Sequence, residues 1–197
     1  MSDPDERDTR SKILIAAATM IGEGPATRLS VRAVAARAGV STGSLRHFFP
    51  TQQELLDTVV EGLQTLDLPD DPMADPTRPP AERLEACLRV LLSSVGTGST
   101  ARRNWVSLHD AYIAAAGRDD TAPTFLAMER LAVDRVERWL AVLREEGALR
   151  PGDLEGHARF LLTVVNGLSL ERALPGAAAR IGSEAASLRQ AVSAVVS

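Results

Sequence analysis

Three features of this 197-residue sequence predict an all-α fold. Apolar residues recur at three- and four-residue spacing in one segment after another, no stretch alternates apolar and polar residues as a half-buried strand does, and Gly- or Pro-rich breaks separate the periodic runs. The breaks mark out an N-terminal module over about 9–56, with a fourth helix continuing to about 66. A Pro-rich connection follows over 67–80 and carries prolines at 69, 72, 76, 79 and 80. A larger helical module occupies 81–197.

In chain order, the first helix carries Ala16-Ala17-Ala18 within KILIAAATMI. The second is announced by Ser30, whose hydroxyl can accept from the exposed N–H groups of a helix start. Val31, Val34, Ala35 and Ala38 then share one face, with Arg32 and Arg37 off it. Gly39 is the natural left-handed C-cap, and Val40 plugs the angle before Ser41 caps again. The third helix presents Thr42, Gly43, Ser44, Arg46 and His47 outward, while Leu45, Phe48 and Phe49 form its apolar side. Pro50 ends it, because proline cannot continue the ladder and biases the residue before it away from helical geometry. Thr51 caps the fourth helix, with Glu54 three residues on completing a capping box. Two short helices joined by a tight Gly turn make a helix-turn-helix, whose second helix enters the major groove of DNA.

Charge is distributed to match. Over residues 9–50 six basic side chains (Arg10, Lys12, Arg28, Arg32, Arg37 and Arg46) face the single acid Glu23, a net of +5, which leaves −9 for the rest of a chain whose total is −4. A basic end on an acidic body is drawn to phosphate and oriented on a duplex. A solvated basic helix face on an ordinary domain is the plain alternative, and the motif decides against it.

The stretch from about Thr9 to Leu56 resembles the N-terminal DNA-binding domain of the tetracycline-repressor (TetR) family of transcription regulators. The resemblance rests on KILIAAATMIGEGPATRLSVRAVAARAGVSTGSLRHFFPTQQELL, above all Ala35-Ala36-Arg37-Ala38-Gly39-Val40-Ser41, Leu45, Phe48-Phe49-Pro50 and Glu54-Leu55-Leu56. Two positions depart from the family pattern. Arg46 stands where members usually carry an aromatic, often tyrosine, and Gln52 lies near a frequent phosphate-touching lysine. Arg46 can itself hold phosphate or a guanine. The resemblance implies double-stranded DNA as partner, contacted by Ser30, Arg32, Ser41, Thr42, Gly43, Ser44, Arg46, His47 and Thr51. Thr42, Ser44, Arg46 and His47 are the candidates for base or nearby phosphate contact; Ser30, Arg32 and Thr51 are placed on the backbone, with Arg32 also within reach of a base.

Beyond the connection, helices are predicted over about Ala81–Val95, Arg102–Ala116, Ala122–Glu146, Gly152–Leu174 and Ser183–Val196. The resemblance implies that this half binds a small-molecule effector and pairs two subunits into a homodimer on a near-palindromic operator. Phe160, Leu161, Val164, Gly167 and Leu168 make the fourth of these helices apolar on more than one side, and Leu188 and Val192 give the fifth a stripe, so these seven are the expected dimer interface. Trp105, His109 and Tyr112, with Leu108 at helical spacing, and Phe125, Met128 and Trp139 from the next helix are candidates for an effector pocket. Core packing explains the same aromatic stripe. Arg103, Asn104 and Asn166 are polar groups that can orient a ligand.

Composition narrows the remaining classes. Mean hydropathy is near zero, no run approaches the roughly 20 apolar residues a bilayer span needs, and the polar start MSDPDERDTR is unlike a secretory signal. A cytoplasmic location without membrane partners is expected. The single Cys87, with Leu84, Leu88 and Leu91 at helical spacing, reads as a small core residue rather than a redox sensor. There is no phosphate loop, G-x-S-x-G, H-E-x-x-H or cysteine set, and the three histidines are scattered, so no catalysis, cofactor or metal is expected. The alternatives are a helical protein-interaction module and an all-helical enzyme.

Overall fold

The computed structural model describes residues 4–23, 29–64, 71–114 and 122–197. Among these are nine α-helices: α1 (Pro4–Gly22), α2 (Val31–Ala38), α3 (Thr42–Phe48), α4 (Gln52–Gln64), α5 (Pro80–Ser94), α6 (Gly98–Leu108), α7 (Ala122–Glu145), α8 (Leu154–Ala173) and α9 (Ala177–Val195). A 3-10 turn spans Pro72–Ala74, and a π-helical turn, His109–Ile113, continues α6. The only β-type pairing among the described residues is an isolated bridge between Leu149 and Val196. No helix among them is long and apolar enough to cross a membrane.

Packing groups the chain into two compact units: residues 1–66 with 107–131, and 67–106 with 132–197. The sequence reading assigned everything after residue 80 to the second module; residues 107–131 instead group with the N-terminal helices. The connection over 67–80 is also more than a break. Asp71 caps the 3-10 turn by accepting from the Met73 N–H at 3.0 Å, and Met73 is buried in the second unit's core.

In the N-terminal unit, α1 presents Ile13, Ala16, Ala17 and Met20 on one face, α2 adds Val34 and Ala35, and α3 adds Leu45 with Phe49 just beyond it. Leu55, Leu56, Val59 and Val60 of α4 close this core, and Ala127 of α7 joins it. Burying a leucine such as Leu45 contributes about 1.5–3 kcal/mol. That is enough to hold a seven-residue helix that would not persist alone.

The second unit is built on Leu84, Leu88 and Leu92 of α5, Val136, Leu140 and Leu143 of α7, Leu161, Val165 and Leu168 of α8, and Leu188, Val192 and Val195 of α9. Two guanidiniums lash it together. Arg83, buried, forks onto the Glu146 carboxylate and donates to the Met73 carbonyl at 3.2 Å. Arg172 donates to both oxygens of the buried Glu184 at 2.6 Å and to the Leu92 carbonyl at 2.6 Å, which ties α8 to α9 and α5. Removing one partner of the buried Arg172–Glu184 pair costs about 3–5 kcal/mol.

Two helix boundaries differ from the reading by more than a turn's end. Helix α6 begins at Gly98 rather than Arg102, since the Thr97 carbonyl starts its ladder by accepting from Ala101 at 3.4 Å. Helix α9 begins at Ala177 rather than Ser183, because Gly182 sits inside it while the left-handed residue that precedes it is Gly176, φ 81°. Predicted residues 115–116 lie outside the described residues.

Candidate nucleic-acid interface

Local hydrogen bonds shape the helix-turn-helix. Ser30 Oγ accepts from the Ala33 N–H at 3.2 Å, starting α2. At the far end Gly39 adopts φ 69°, the Gly39 N–H donates to the Ala36 carbonyl at 3.3 Å, and the Val40 N–H donates to the Ala35 carbonyl at 3.0 Å. This paired closure is the Schellman arrangement, and it turns the chain within two residues. Ser41 Oγ then accepts from the Ser44 N–H at 3.0 Å and starts α3. Each cap contributes about 1 kcal/mol.

With Leu45 fully buried beneath it, α3 exposes Thr42, Gly43, Arg46 and His47 and half-exposes Ser44. Phe48 is half-buried and meets the His47 ring edge-on at 5.2 Å between centroids. Arg32 is exposed on α2. Ser30, Ser41 and Thr51 spend a lone pair on caps, Thr51 Oγ1 accepting from the Glu54 N–H at 3.1 Å, but each retains a hydroxyl proton to give to a phosphate oxygen. Arg28 lies outside the described residues.

Two basic side chains sit differently from what charge counting suggests. Arg37 is engaged by Glu23 through two bonds at 2.7 and 3.0 Å; the guanidinium's hydrogen bonds hold the Glu23 carboxyl below its ordinary range. Arg10 lies with its guanidinium over the Phe49 ring at 5.3 Å, which brings a cation to the C-terminal end of α3. Sequence reasoning counted Arg10 only as charge, since a contact across 39 positions leaves no local signal. Gln52, the residue near the family's lysine, turns inward. Its Nε2 donates to the Leu29 carbonyl at 2.5 Å and to Thr124 Oγ1 at 3.2 Å.

The expected pocket residues are drawn from both units. His109, Tyr112, Phe125 and Met128 belong to the first unit, Trp105 and Trp139 to the second. The π-helical turn, closed by the Ala114 N–H on the His109 carbonyl at 2.8 Å, breaks the 3.6-residue register on which the stripe was drawn. His109 is exposed and contacts Asp110 at 3.2 Å, whereas Tyr112 packs against Phe125 at 5.3 Å. Met128 is half-buried. Trp139 is a core residue that donates to Asp71 Oδ2 at 2.9 Å. Asn104 donates to the Val95 carbonyl at 3.0 Å and Arg103 to Thr100 Oγ1 at 3.1 Å, so both already serve local structure; Asn166 is exposed.

The expected dimer residues divide as well. Leu161, Leu168, Leu188 and Val192 are buried in the second unit's own core, and Val164 packs partly against it. Phe160, 44 % exposed, and Gly167 stay outside. An apolar residue at helical spacing goes to whichever face meets a neighbour, and α8 has two such faces. On its outer one, Phe160, Thr163, Gly167 and Leu170 recur at three- and four-residue intervals, with Leu174 following the helix.

Comparison with known proteins agrees with this geometry. Residues 13–59 match the model of the family described as bacterial regulatory proteins, tetR family. The chain is 28 % identical over 161 residues to the HTH-type transcriptional repressor KstR2 of Mycobacterium tuberculosis, covering 77 % of this chain and 75 % of that protein. Among solved structures, it is similar to a transcriptional regulator from Rhodococcus sp. Rha1 (TM-score 0.52, 23 % identity, 94 % of this chain and 95 % of that one). It is also similar to a TetR-family transcriptional regulator from Pectobacterium atrosepticum (TM-score 0.52, 18 % identity, 100 % and 98 %). At these identities the two structures speak for the fold, while the matched segment coincides with the capped α2–α3 unit and its supports. Over residues 13–59 the chain matches the tetR family of bacterial regulatory proteins.

Proposed function

We propose that this chain is a homodimeric, one-component transcriptional repressor whose two α3 helices occupy successive major grooves of a palindromic operator until a small-molecule effector releases them. The tetR-family match over residues 13–59 and the likeness to a transcriptional repressor support a DNA-binding transcription factor rather than an enzyme. The observation that carries the reading is the division of α3 into a buried Leu45 underside and an exposed tip of Thr42, Gly43, Arg46 and His47. Arg46 has the donor fork for guanine O6 and N7, and His47 and Thr42 offer single donors. Arg32, Arg10 and the hydroxyls of Ser30, Ser41 and Thr51 supply phosphate contacts that set the register.

Pairing through α8 and α9 is supported by the outer stripe of Phe160, Gly167 and Leu170 on α8 and by the exposed Ala186, Ser193 and Ala194 of α9. Small residues there allow helices of two protomers to approach closely, and a two-fold axis then spaces the α3 helices one DNA turn apart, about 34 Å. An effector that binds the two conformations unequally needs a coupling of about 1–3 kcal/mol to change operator affinity 5- to 150-fold. Selection of bound duplexes from a random pool, repeated with candidate metabolites, tests the reading. Recovery of a palindrome whose affinity falls steeply with salt supports it; recovery of no sequence above background refutes it.

A further inference from the structure

The start of α2 is held from two directions. The Leu29 carbonyl immediately precedes the Ser30 cap and is buried. A buried carbonyl at that place has no helical partner of its own and needs a donor from elsewhere. Gln52 Nε2, from the first turn of α4, donates to it at 2.5 Å. Thr124 Oγ1, from the first turn of α7, donates to it at 3.4 Å and also accepts from the same Gln52 amide at 3.2 Å. Carbonyl, amide and hydroxyl thus close a triangle. Thr124 is 2 % exposed, so water does not substitute for its partners.

This contact is supported along the same helix. One turn on, Ala127 is buried in the core shared with α1–α4, and Arg130 Nη1 donates to Asp57 Oδ1 of α4 at 3.0 Å. The first turns of α7 are therefore built into the N-terminal unit, although 72 positions separate Thr124 from Gln52. Because Gly39 and Val40 lock α2 to α3, whatever fixes the start of α2 also fixes the direction in which α3 points.

We infer that Thr124 is a positioning residue for DNA recognition: with Gln52 it clamps the Leu29 carbonyl and so sets the attitude of the α2–α3 pair. The reading head is then a discontinuous unit, α1 to α4 completed by the start of α7. The inference rests on the DNA-binding role proposed above and concerns a residue that does not itself reach DNA.

The test uses the full-length chain with Thr124→Val, which keeps the β-branched shape and removes the hydroxyl, and Thr124→Ser, which restores it. Two quantities are read: hydrogen exchange of the Ala33 and Val34 amides in the DNA-free protein, and affinity for the selected duplex. Thr124→Val is expected to exchange roughly three- to tenfold faster at those amides and to lose a similar factor in duplex affinity while remaining folded, with Thr124→Ser close to the parent. Parent-like exchange and affinity in Thr124→Val overturns the inference. Faster exchange in a protein whose parent selects no duplex supports the clamp and refutes the DNA-binding reading. Should Thr124→Val not fold, Gln52→Met provides the same two readouts from the amide side of the clamp, and parent-like values there are equally fatal.

Discussion

Gly43→Ala should make the protein more stable and a worse DNA binder, and the two effects arise from different properties of one site. Position 43 lies in the first turn of α3 and faces outward, and a Cβ built there meets only Ser41 Oγ at 3.7 Å, an ordinary contact. No strain opposes the methyl. Glycine inside a helix costs about 0.5–1 kcal/mol relative to alanine, and first-turn placement argues for the lower end, so a gain of about 0.5 kcal/mol is expected. In a unit of this size that raises the melting temperature by about 2–4 °C. In the proposed complex the same exposed methyl would lie where α3 approaches a groove floor. A loss of tenfold or more in operator affinity follows, equivalent to about 1.4 kcal/mol. Gly39→Ala is the control of opposite sign. Its Cβ would meet nothing within 4 Å, yet φ of 69° makes any L-residue unfavourable by about 1–2 kcal/mol. Calorimetric melting and fluorescence anisotropy on a labelled operator separate the outcomes. A Gly43→Ala protein that melts higher and binds as tightly as its parent would refute the placement of α3 in the groove; one that melts lower would refute the helical account of that turn.

Further expectations concern other parts of the molecule. Arg46→Ala should weaken specific operator binding by about 1–3 kcal/mol and relax preference at one base position, measured by competition with substituted duplexes. Phe160→Glu should yield a folded monomer in sedimentation equilibrium, because that ring is half outside its own protomer; a variant that still dimerises would move the interface away from the outer stripe of α8. Burial, reinforced by the neighbouring Asp71 carboxylate, pushes the Cys87 thiol up to about 12, so it should resist a thiol reagent in the native protein near neutral pH and react promptly once denatured. Burial, and then the carboxylates of Asp134, Glu155 and Asp153, raise Glu137 above its ordinary range. A carboxyl raised in the folded state opposes folding when ionised, and that opposition disappears as pH falls through its folded and then its unfolded value. Glu137→Gln should therefore melt higher than the parent near neutral pH, with the difference vanishing in acid below the ordinary glutamate range.

Glu23 and Glu146 have the reverse sign. Hydrogen bonds from Arg37 and Arg83 respectively hold them below the ordinary range, so what they add to stability is present above that range and is lost as acid protonates them. Acid is accordingly expected to loosen the Glu23–Arg37 fork and the Glu146–Arg83 fork while relieving the strain at Glu137.

The recognition segment was legible in one dimension because its devices are local. Ser30, Gly39 and Ser41 act on backbone groups within five positions of themselves, so residue type and spacing are enough to place two helices, a turn and an exposed tip. Helical periodicity likewise marked the inward face of α5, where Leu84, Cys87 and Leu88 are buried. The outer and inner faces of α8 were not separable in this way. Leu161 and Leu168 differ from Phe160 and Leu170 only in which neighbour they meet, and an apolar pattern on more than one side does not encode that choice. The π-helical turn after Leu108 was equally hidden, and with it the exposure of His109.

The amino-acid sequence alone determined the helical class, the position of the capped, exposed-tipped helix α3 and the sign of the charge around it, since these follow from short-range capping, 3.6-residue periodicity and charge. Tertiary structure decided which long-range partners the polar groups took. Arg37 is engaged by Glu23 and Arg10 stacks on Phe49; Gln52 turns from solvent toward Leu29 and Thr124, and Asp71 gathers Cys87, Met73 and Trp139. The contacts of Gln52 with Leu29 and Thr124, and of Asp71 with Cys87 and Trp139, satisfy buried or partly buried groups from residues many positions away. Their requirement is set by desolvation in the folded chain, which has no counterpart in the order of the residues.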